Sequence, residues 1–225
     1  MTAALVAVAH GTRDAAGVAA HHALLAEVRA QRPGLDAHLA FLDHADPAPA
    51  EVLAGLRGTA VLVPLLLGTG FHLQVDLPAV AAAAPHLAVR TAGPLGPDPL
   101  LARALGARLA EAGEPADAVV LAAAGSTDPA GNAAAAEMAA LLGAHLGRPV
   151  APGYLCAAAP SPAEAVAALR AAGHRRVAVA SYLLAPGFFA RRAGRSGGCV
   201  TAEPLGAHAD LARLVLTRYD QALAV

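Results

Sequence analysis

Short apolar runs alternate with alanine-rich stretches along the whole chain. The apolar runs predict strands at Leu5–Ala9, Ala37–Leu42, Ala60–Leu67, Leu87–Thr91, Ala118–Ala123, Val150–Cys156, Val177–Leu184 and Cys199–Ala202. The intervening stretches predict helices at Ala15–Ala30, Ala48–Leu56, Leu73–Ala84, Pro99–Ala112, Ala130–Leu146, Pro162–Ala172, Phe188–Arg195 and Ala209–Leu223. Strands that are apolar throughout, each followed by a helix, are typical of parallel sheets covered on both faces. The pattern therefore predicts an α/β fold.

Several predicted helices begin with a residue that is suited to cap them. Asp14, Asp98 and Ser161 each stand just before a predicted helix, and Asp76 stands two residues before Pro78 in the first part of another. A proline follows three of these four residues within two positions. Side chains of this type accept hydrogen bonds from the first unpaired backbone N–H groups of a helix, and proline is favoured in the first turn. These residues support the predicted helix starts.

The second half of the chain repeats the first. VAVAHGTRDAAG, starting at Val6, matches VLAAAGSTDPAG, starting at Val120, and APAEVLAGLR at Ala48–Arg57 matches SPAEAVAALR at Ser161–Arg170. Further matches occur later in each half in the same order, as expected for duplicated units. We therefore expect two homologous lobes, residues 1–113 and 114–225, each a parallel four-stranded sheet flanked by helices.

Composition and charge exclude several classes of protein. The chain of 225 residues is 56% hydrophobic and carries a net charge of −1, without the basic excess typical of nucleic-acid binding. Its apolar runs are shorter than the roughly 18 residues that span a bilayer, and no signal peptide is recognisable, so we expect a cytoplasmic protein without a membrane partner. No lysine occurs, which excludes Schiff-base and phosphate-loop lysine chemistry. Cys156 and Cys199 are expected to be buried, reduced thiols.

Candidate metal ligands follow three predicted strands of the first lobe. His10 follows the first strand, Asp43 and His44 follow the second, and His72 follows the third. Because the carboxyl ends of parallel strands share one edge of a sheet, His10, Asp43 and His72 are expected to converge there. Two imidazoles and a carboxylate suit Co²⁺, Ni²⁺, Fe²⁺ or Zn²⁺. In the second lobe the two histidine positions hold Ala124 and Phe189, which cannot bind a metal.

Structural roles are open for each of these residues taken singly. A histidine at a strand end is often a surface or capping residue, and Asp43 alone fits a helix cap. The remaining histidines, at positions 21, 22, 38, 86, 145, 174 and 208, are expected to be solvated. A dinucleotide fingerprint fails at Leu73, and a histidine phosphatase would need an arginine where Ala9 precedes His10.

The motifs AHGTRD at Ala9–Asp14, FLDHADP at Phe41–Pro47 and VPLLLGTGFHLQVDLP at Val63–Pro78 resemble those of the sirohydrochlorin chelatases of the cobalamin and sirohaem pathways. The resemblance extends over essentially the whole chain. It implies two flavodoxin-like lobes with a cleft between them, and insertion of a divalent metal into sirohydrochlorin without an organic cofactor. Co²⁺ and Fe²⁺ are the implied metal substrates, with Ni²⁺ as a further candidate.

The resemblance also assigns residues. It implies that His10 and His72 hold the incoming metal and accept pyrrole protons, and that Asp43, where the family usually has Glu, is the third ligand. A substrate with eight carboxylates needs cationic and N–H donors. Arg13, Arg191, Arg192 and Arg195 are the candidate side chains, and Gly11, Thr12, Gly70, Gly125 and Ser126 lie in the turns expected to contact substrate.

Three functions remain open at this point. The first is a metallochelatase that acts as a monomer on a small tetrapyrrole, because neutral imidazole can both bind a metal and accept a proton near pH 7. The second is a metal or tetrapyrrole carrier derived from a chelatase that lost turnover, which the aspartate at position 43 favours. The third is a phosphoryl-transfer hydrolase that uses His10, which the absence of lysine and of an arginine before His10 disfavours.

Overall fold

The structure is a computed structural model and describes residues 3–68, 75–113 and 116–224. The chain forms two compact units: residues 1–95 with residues 207–225, called here the first unit, and residues 96–206, called the second unit. The strands of the first unit are β1 (Ala4–Ala9), β2 (Ala37–Phe41), β3 (Gly58–Leu65) and β4 (Leu87–Thr91). Its helices are α1 (Ala15–Gln31), α2 (Pro49–Ala54), α3 (Leu77–Ala82) and α8 (Ala209–Ala224).

The first unit has a parallel sheet in the strand order β2-β1-β3-β4. Every residue of β1 is buried, so helices must cover both faces of the sheet. On one face, side chains of the strands such as Val6 and Leu62 pack with Leu53 of α2 and Leu77 of α3. Helices α1 and α8 pack together and contact β2 and β3 respectively.

The second unit repeats this arrangement with one strand fewer. Its strands are β5 (Ala118–Ala123), β6 (Val150–Tyr154) and β7 (Val177–Tyr182), in the parallel order β6-β5-β7. Its helices are α4 (Pro99–Ala112), α5 (Pro129–Leu146), α6 (Pro162–Ala171) and α7 (Phe188–Ala193). Val120 and Val179 of the sheet pack with Val166 of α6 and Ala193 of α7, while α4 contacts α5 and β7.

The second sheet corrects one expectation. The segment Cys199–Ala202 does not form a fourth strand and pairs with β7 through a single isolated bridge between Val179 and Thr201. Gly198 approaches Val179 so closely that even a Cβ at this position would contact its side chain. The α/β class with two parallel sheets is confirmed, and the expected count of four strands in each lobe is wrong for the second.

The packing units and the sequence repeat divide the chain differently. The repeat predicts a boundary at residue 113, but α4 packs in the second unit and α8 in the first. Leu211, Leu214 and Val215 of α8 are fully buried, and Tyr219 donates a hydrogen bond to the Ala3 carbonyl at 2.6 Å. The boundary at residue 113 thus divides the repeated sequence. The boundaries of the two compact units differ from it because α4 packs in the second unit and α8 in the first.

Most predicted caps are present. The carboxylates of Asp14 and Asp98 accept hydrogen bonds from Ala16 N and Leu100 N, and Ser161 forms a reciprocal capping box with Glu164. Asp76 makes no such bond, because its own backbone is already helical.

Two expectations about burial are wrong. His21 is 9% exposed, its Nδ1 lies 2.8 Å from the Gly17 carbonyl oxygen, and its ring packs edge-on against Phe41. Cys156 is half-buried and Cys199 is exposed, and both are free thiols.

Among the described residues, no helix combines the length and apolar character that would be needed to cross a membrane.

Candidate metal site

The carboxyl ends of β1 and β2 bring two predicted ligands together. His10 directly follows β1, and Asp43 comes two residues after β2, which pairs with β1 in parallel. Leu42 N donates to Ala9 O at 2.9 Å, and Asp43 N donates to His10 O at 2.9 Å. The hydrogen-bond ladder therefore continues past the strands and fixes the backbones of both residues beside each other.

Gly11 allows this close approach. Its φ of +100° is unfavourable for any side chain, and a Cβ at this position would overlap the Asp43 carbonyl oxygen. The glycine of the His-Gly pair is thus required by the backbone geometry of the edge that carries His10 and Asp43.

Asp43 and His44 form a second contact at the same edge. Oδ1 of Asp43 accepts a hydrogen bond from the backbone N of His44 at 2.8 Å and lies 3.1 Å from Nδ1 of the His44 ring. The His44 ring is 6.3 Å from the His10 ring, centroid to centroid, with an angle of 55° between the ring planes. The side chains of Asp43 and His44 are 58% and 36% exposed, so both are accessible to a ligand.

The third predicted ligand, His72, lies outside the described residues, as does Gly70 of the preceding turn. The described chain leaves β3 at Leu65, and β3 pairs with β1 on the side opposite β2. Three adjacent strands therefore lead into this edge: His10 follows β1, Asp43 follows β2, and the loop that leads to His72 starts after β3. In the part of the chain that the structure describes, no set of three or more His, Cys, Asp or Glu residues is grouped to hold a metal.

The rest of the turn after β1 is stabilised by a hydrogen bond between its own residues. Thr12 Oγ1 accepts a hydrogen bond from Asp14 N at 3.1 Å, so its hydroxyl oxygen stabilises the helix start. Arg13 is exposed between them. Of the first-unit residues expected to contact substrate carboxylates, Gly11, Thr12 and Arg13 are consecutive at the edge that carries His10.

The matching turn of the second unit contains Gly125 and Ser126. Gly125 has a φ of +88°, and a Cβ there would overlap the Cys156 carbonyl oxygen. Ser126 N donates to the Asn132 side chain at 3.0 Å, and that side chain donates back to Ser126 O at 2.8 Å. The Ser126 N–H is therefore already paired, whereas Val18, at the position equivalent to Asn132, has no polar side chain to play this part.

Tyr154, on the neighbouring strand β6, makes a hydrogen bond to the residue that holds this turn. It is buried at the end of β6, its hydroxyl donates to Asn132 O at 3.1 Å, and burial raises the pKa of the phenol. Tyr154 is thus a neutral hydrogen-bond donor that supports the Asn132 contact, a structural role in the second unit.

The turn after β7 presents an exposed aromatic ring beside arginines. Phe188 is 67% exposed, and its ring packs edge-on against Phe189, which contacts the core of the second unit. Arg191 and Arg192 follow in the same helix, both exposed, and Arg195 comes just after it. The segment offers an apolar face and several cationic groups to a ligand that carries both kinds of surface.

Sequence reasoning missed the parts played by His44, Asn132 and Phe188. His44 was recognisable as a second histidine at the end of a strand. Asn132 lies in the first turn or so of an alanine-rich helix, as its fourth residue, with no local pattern to mark it. Phe188 was hidden by its neighbour Phe189, because sequence does not distinguish the exposed from the buried member of a pair.

The fold matches solved structures over its whole length. SirB from Bacillus subtilis with Fe³⁺ is 24% identical, with a TM-score of 0.81 over 100% of this chain and 96% of that one. SirB from Bacillus subtilis subspecies spizizenii in complex with cobalt is 22% identical, with a TM-score of 0.78 over 99% and 95%. CbiX, the terminal enzyme for biosynthesis of sirohaem in denitrifying bacteria, is 21% identical, with a TM-score of 0.69 over 97% and 99%.

The sequence was also compared with curated proteins and with protein families. Among curated proteins, no match was found. The CbiX family model matches residues 4–112 and again residues 118–222, which together make up nearly all of the chain. Both halves of the sequence repeat thus match one family, and the protein belongs to the CbiX family.

Proposed function

We propose that this protein is a sirohydrochlorin chelatase, which inserts Co²⁺ or Fe²⁺ into sirohydrochlorin and releases two protons. The observation that carries the proposal is the pairing of His10 with the Asp43–His44 contact at one edge of a CbiX-family sheet. The similar SirB structures, with Fe³⁺ or cobalt, and the similar CbiX enzyme of sirohaem biosynthesis support this choice of substrate class.

The reaction exchanges two pyrrole protons for one metal ion. The metal must first lose part of its water shell, and imidazole and carboxylate ligands replace that water. A small number of protein ligands leaves other coordination positions of the ion open, so the ion can still be released. We assign this role to His10 and His72 together with the Asp43–His44 turn. As the pyrrole nitrogens bind the metal, each loses a proton, and an imidazole that has released the metal is a base that can accept it.

The macrocycle presents an apolar ring and a rim of carboxylates, so its binding needs two kinds of surface. Arg13, Arg191 and Arg192 are the proposed partners of the carboxylates, because guanidinium groups bind carboxylates through two parallel hydrogen bonds. The exposed ring of Phe188, close in sequence to two of these arginines, is the proposed apolar contact. Phe188 extends the set of substrate residues that the sequence suggested.

The decisive experiment follows the visible spectrum of sirohydrochlorin with Co²⁺ or Fe²⁺ and the purified protein. Rapid conversion to the metallated spectrum is expected with wild-type protein and not with His10→Ala or His72→Ala. His22→Ala is the matched control, since it removes an exposed histidine of the same unit from α1, where alanine is compatible with the helix.

A shifted spectrum without metallation would contradict the proposal and identify a tetrapyrrole carrier instead. Unchanged turnover in His10→Ala, with the control behaving normally, would remove His10 from the reaction. Relative rates with Co²⁺, Fe²⁺ and Ni²⁺ rank the metal substrates, which a set of nitrogen and oxygen ligands alone does not select.

A further inference from the structure

The turn after β2 contains a histidine whose ring is held by the preceding residue. His44 has a φ of +64°, and Oδ1 of Asp43 contacts both its backbone N and its ring Nδ1. The carboxylate oxygen is thus directed back to its own turn. Nδ1 is the ring atom occupied by this contact, which leaves Nε2 as the nitrogen that can bind a metal.

We propose that the metal ligand supplied by this turn is His44 Nε2, and that Asp43 is a positioning residue that orients the His44 ring. The proposal rests on the proposed function and changes the ligand set within it. Metal-binding imidazoles generally donate their second ring N–H to a carboxylate or carbonyl, which fixes the tautomer and makes the ligand more basic. The contact between Asp43 Oδ1 and His44 Nδ1 has this form.

The distance between the two rings allows a shared ion. With a metal–nitrogen bond of about 2.0–2.1 Å, each ring centroid lies about 3.2 Å from the ion, so two rings on one ion lie at most about 6.4 Å apart. The His10 and His44 centroids are 6.3 Å apart, within this limit. At this separation the nitrogen–metal–nitrogen angle is about 160°, and a tetrahedral angle requires the rings to approach each other by about a further 1 Å.

The second unit indicates that the turn does not need the imidazole in order to fold. Ala157 stands at the position of His44, with a φ of 57°, and Cys156 N donates to Ala124 O just as Asp43 N donates to His10 O. The same backbone is therefore formed around an alanine. The side chain of His44 is available for a role that the fold does not require.

The test measures Co²⁺ binding without tetrapyrrole, by isothermal titration and by the visible d–d bands of the bound ion. We expect His44→Ala and His44→Asn to weaken binding by roughly 10–100-fold and to change the d–d spectrum. Asn keeps a residue that tolerates the left-handed backbone, so loss of binding in both variants is not a folding effect. His22→Ala is expected to bind Co²⁺ as wild type does.

A double-mutant cycle separates the two roles of the carboxylate. If Asp43 acts through His44, Asp43→Asn weakens Co²⁺ binding in the wild-type background and has little further effect in His44→Ala. Equal losses in both backgrounds would identify Asp43 as a direct ligand and overturn the proposal. Wild-type affinity in His44→Ala, or no Co²⁺ binding by wild-type protein, would overturn it as well.

The same assay distinguishes this proposal from the proposed function, because no macrocycle is present. A protein that loses Co²⁺ affinity in His44→Ala but never metallates sirohydrochlorin supports the His44 ligand and contradicts the chelatase. A protein that metallates sirohydrochlorin and keeps full Co²⁺ affinity in His44→Ala supports the chelatase and contradicts the His44 ligand.

Discussion

Each unit contains the same pair of turns, and only the pair in the first unit carries the proposed metal ligands. The pair in the first unit is residues 10–14 with residues 42–47, and the pair in the second is residues 124–128 with residues 155–160. In both pairs a glycine with positive φ follows the strand, and the second turn ends with a cis Xaa-Pro bond. Corresponding backbone hydrogen bonds join each pair, with lengths of 2.9 Å and 2.8 Å at the first residue after the strand.

The side chains on these matching backbones differ in kind. His10, Asp43 and His44 of the first unit correspond to Ala124, Cys156 and Ala157 of the second. Cys156 Sγ donates to Ala124 O at 3.1 Å, within its own turn pair. The backbone geometry is thus common to both units, and the proposed metal chemistry resides in three side chains that the second unit replaces.

The largest expected effect comes from replacing His10 with alanine, the residue that the second unit has at the matching position, Ala124. His10→Ala gives the first unit the residue that the second unit has at this point, so the fold is expected to persist while metallation falls by roughly 10²–10⁴-fold, the range for loss of a catalytic base. The measurement is the initial rate of sirohydrochlorin metallation, with circular dichroism to verify the fold. A rate within a factor of two of wild type would contradict the role of His10.

The shared glycines give the next largest effect. Gly11→Ala and Gly125→Ala each place a Cβ on a backbone carbonyl oxygen at a positive φ, and each is expected to destabilise the protein by roughly 2–4 kcal/mol. Denaturant unfolding of both variants checks this. Gly34→Ala is the control, because its φ is also positive but no atom lies near the added Cβ. If Gly11→Ala is no worse than Gly34→Ala, the close approach at the His10 turn is not what selects glycine.

A smaller effect is expected from removing the proposed apolar contact between the second unit and the substrate. Phe188→Ala is expected to raise the KM for sirohydrochlorin about tenfold with little change in kcat, because removal of an exposed aromatic contact weakens binding of substrate and transition state alike. Steady-state kinetics with varied sirohydrochlorin measures this. Leu223→Ala, which removes another partly exposed hydrophobic residue, serves as the control. An unchanged KM would exclude Phe188 from the substrate site.

The strands and the parallel sheets were predictable because their signal is local. The runs around Val6 and Val120 are apolar on both faces, and each is buried throughout in the structure. The expected fourth strand of the second sheet is not formed. The segment Cys199–Ala202 makes backbone hydrogen bonds with Val177 and Val179 of β7, but its pairing is limited to one bridge, and the length of a strand pairing is not encoded in a short apolar run.

The site was predictable only in part. That His10 and Asp43 share an edge follows from the parallel strand rule, and the structure places their backbones in contact. The contact of Asp43 with His44 depends on the left-handed backbone of one residue, which a pattern of residue types does not encode. The buried state of His21 depends likewise on the packing of α1 against Phe41 rather than on its neighbours in sequence.

The two turn pairs also differ in how the following helix begins. Ser161 accepts a hydrogen bond from Glu164 N, whereas Ala48 has no side chain to do so and keeps only the reciprocal bond from its own N to Glu51. Ser161→Ala is expected to destabilise the protein by about 1 kcal/mol, and Ala48→Ser to stabilise it by up to about 1 kcal/mol. Thermal unfolding of both variants tests this pair, and equal shifts of the same sign would contradict it.

The smallest expected effect concerns the helix that follows the central strand of each sheet, α1 in the first unit and α5 in the second, where His21 corresponds to Ala135. Burial lowers the pKa of His21 below its ordinary value of 6.5, and the nearby His22 adds to this, against the raising effect of the Gly17 carbonyl. The unfolded chain therefore binds a proton more readily than the folded one, so stability falls as the pH decreases below about 6.5.

His21→Ala gives this helix the residue of the second unit and should remove that part of the pH dependence. The slope lost is less than about 1.4 kcal/mol per pH unit, the limit for one proton. Denaturant unfolding at pH 7 and pH 5 measures it, and only the difference between the two pH values is informative, because the substitution also removes the contact with Gly17. His22→Ala, which leaves the buried ring in place, should retain most of the wild-type slope. If His21→Ala retains the full slope, the acid sensitivity of the first unit arises elsewhere, and burial of His21 does not distinguish the two helices in solution.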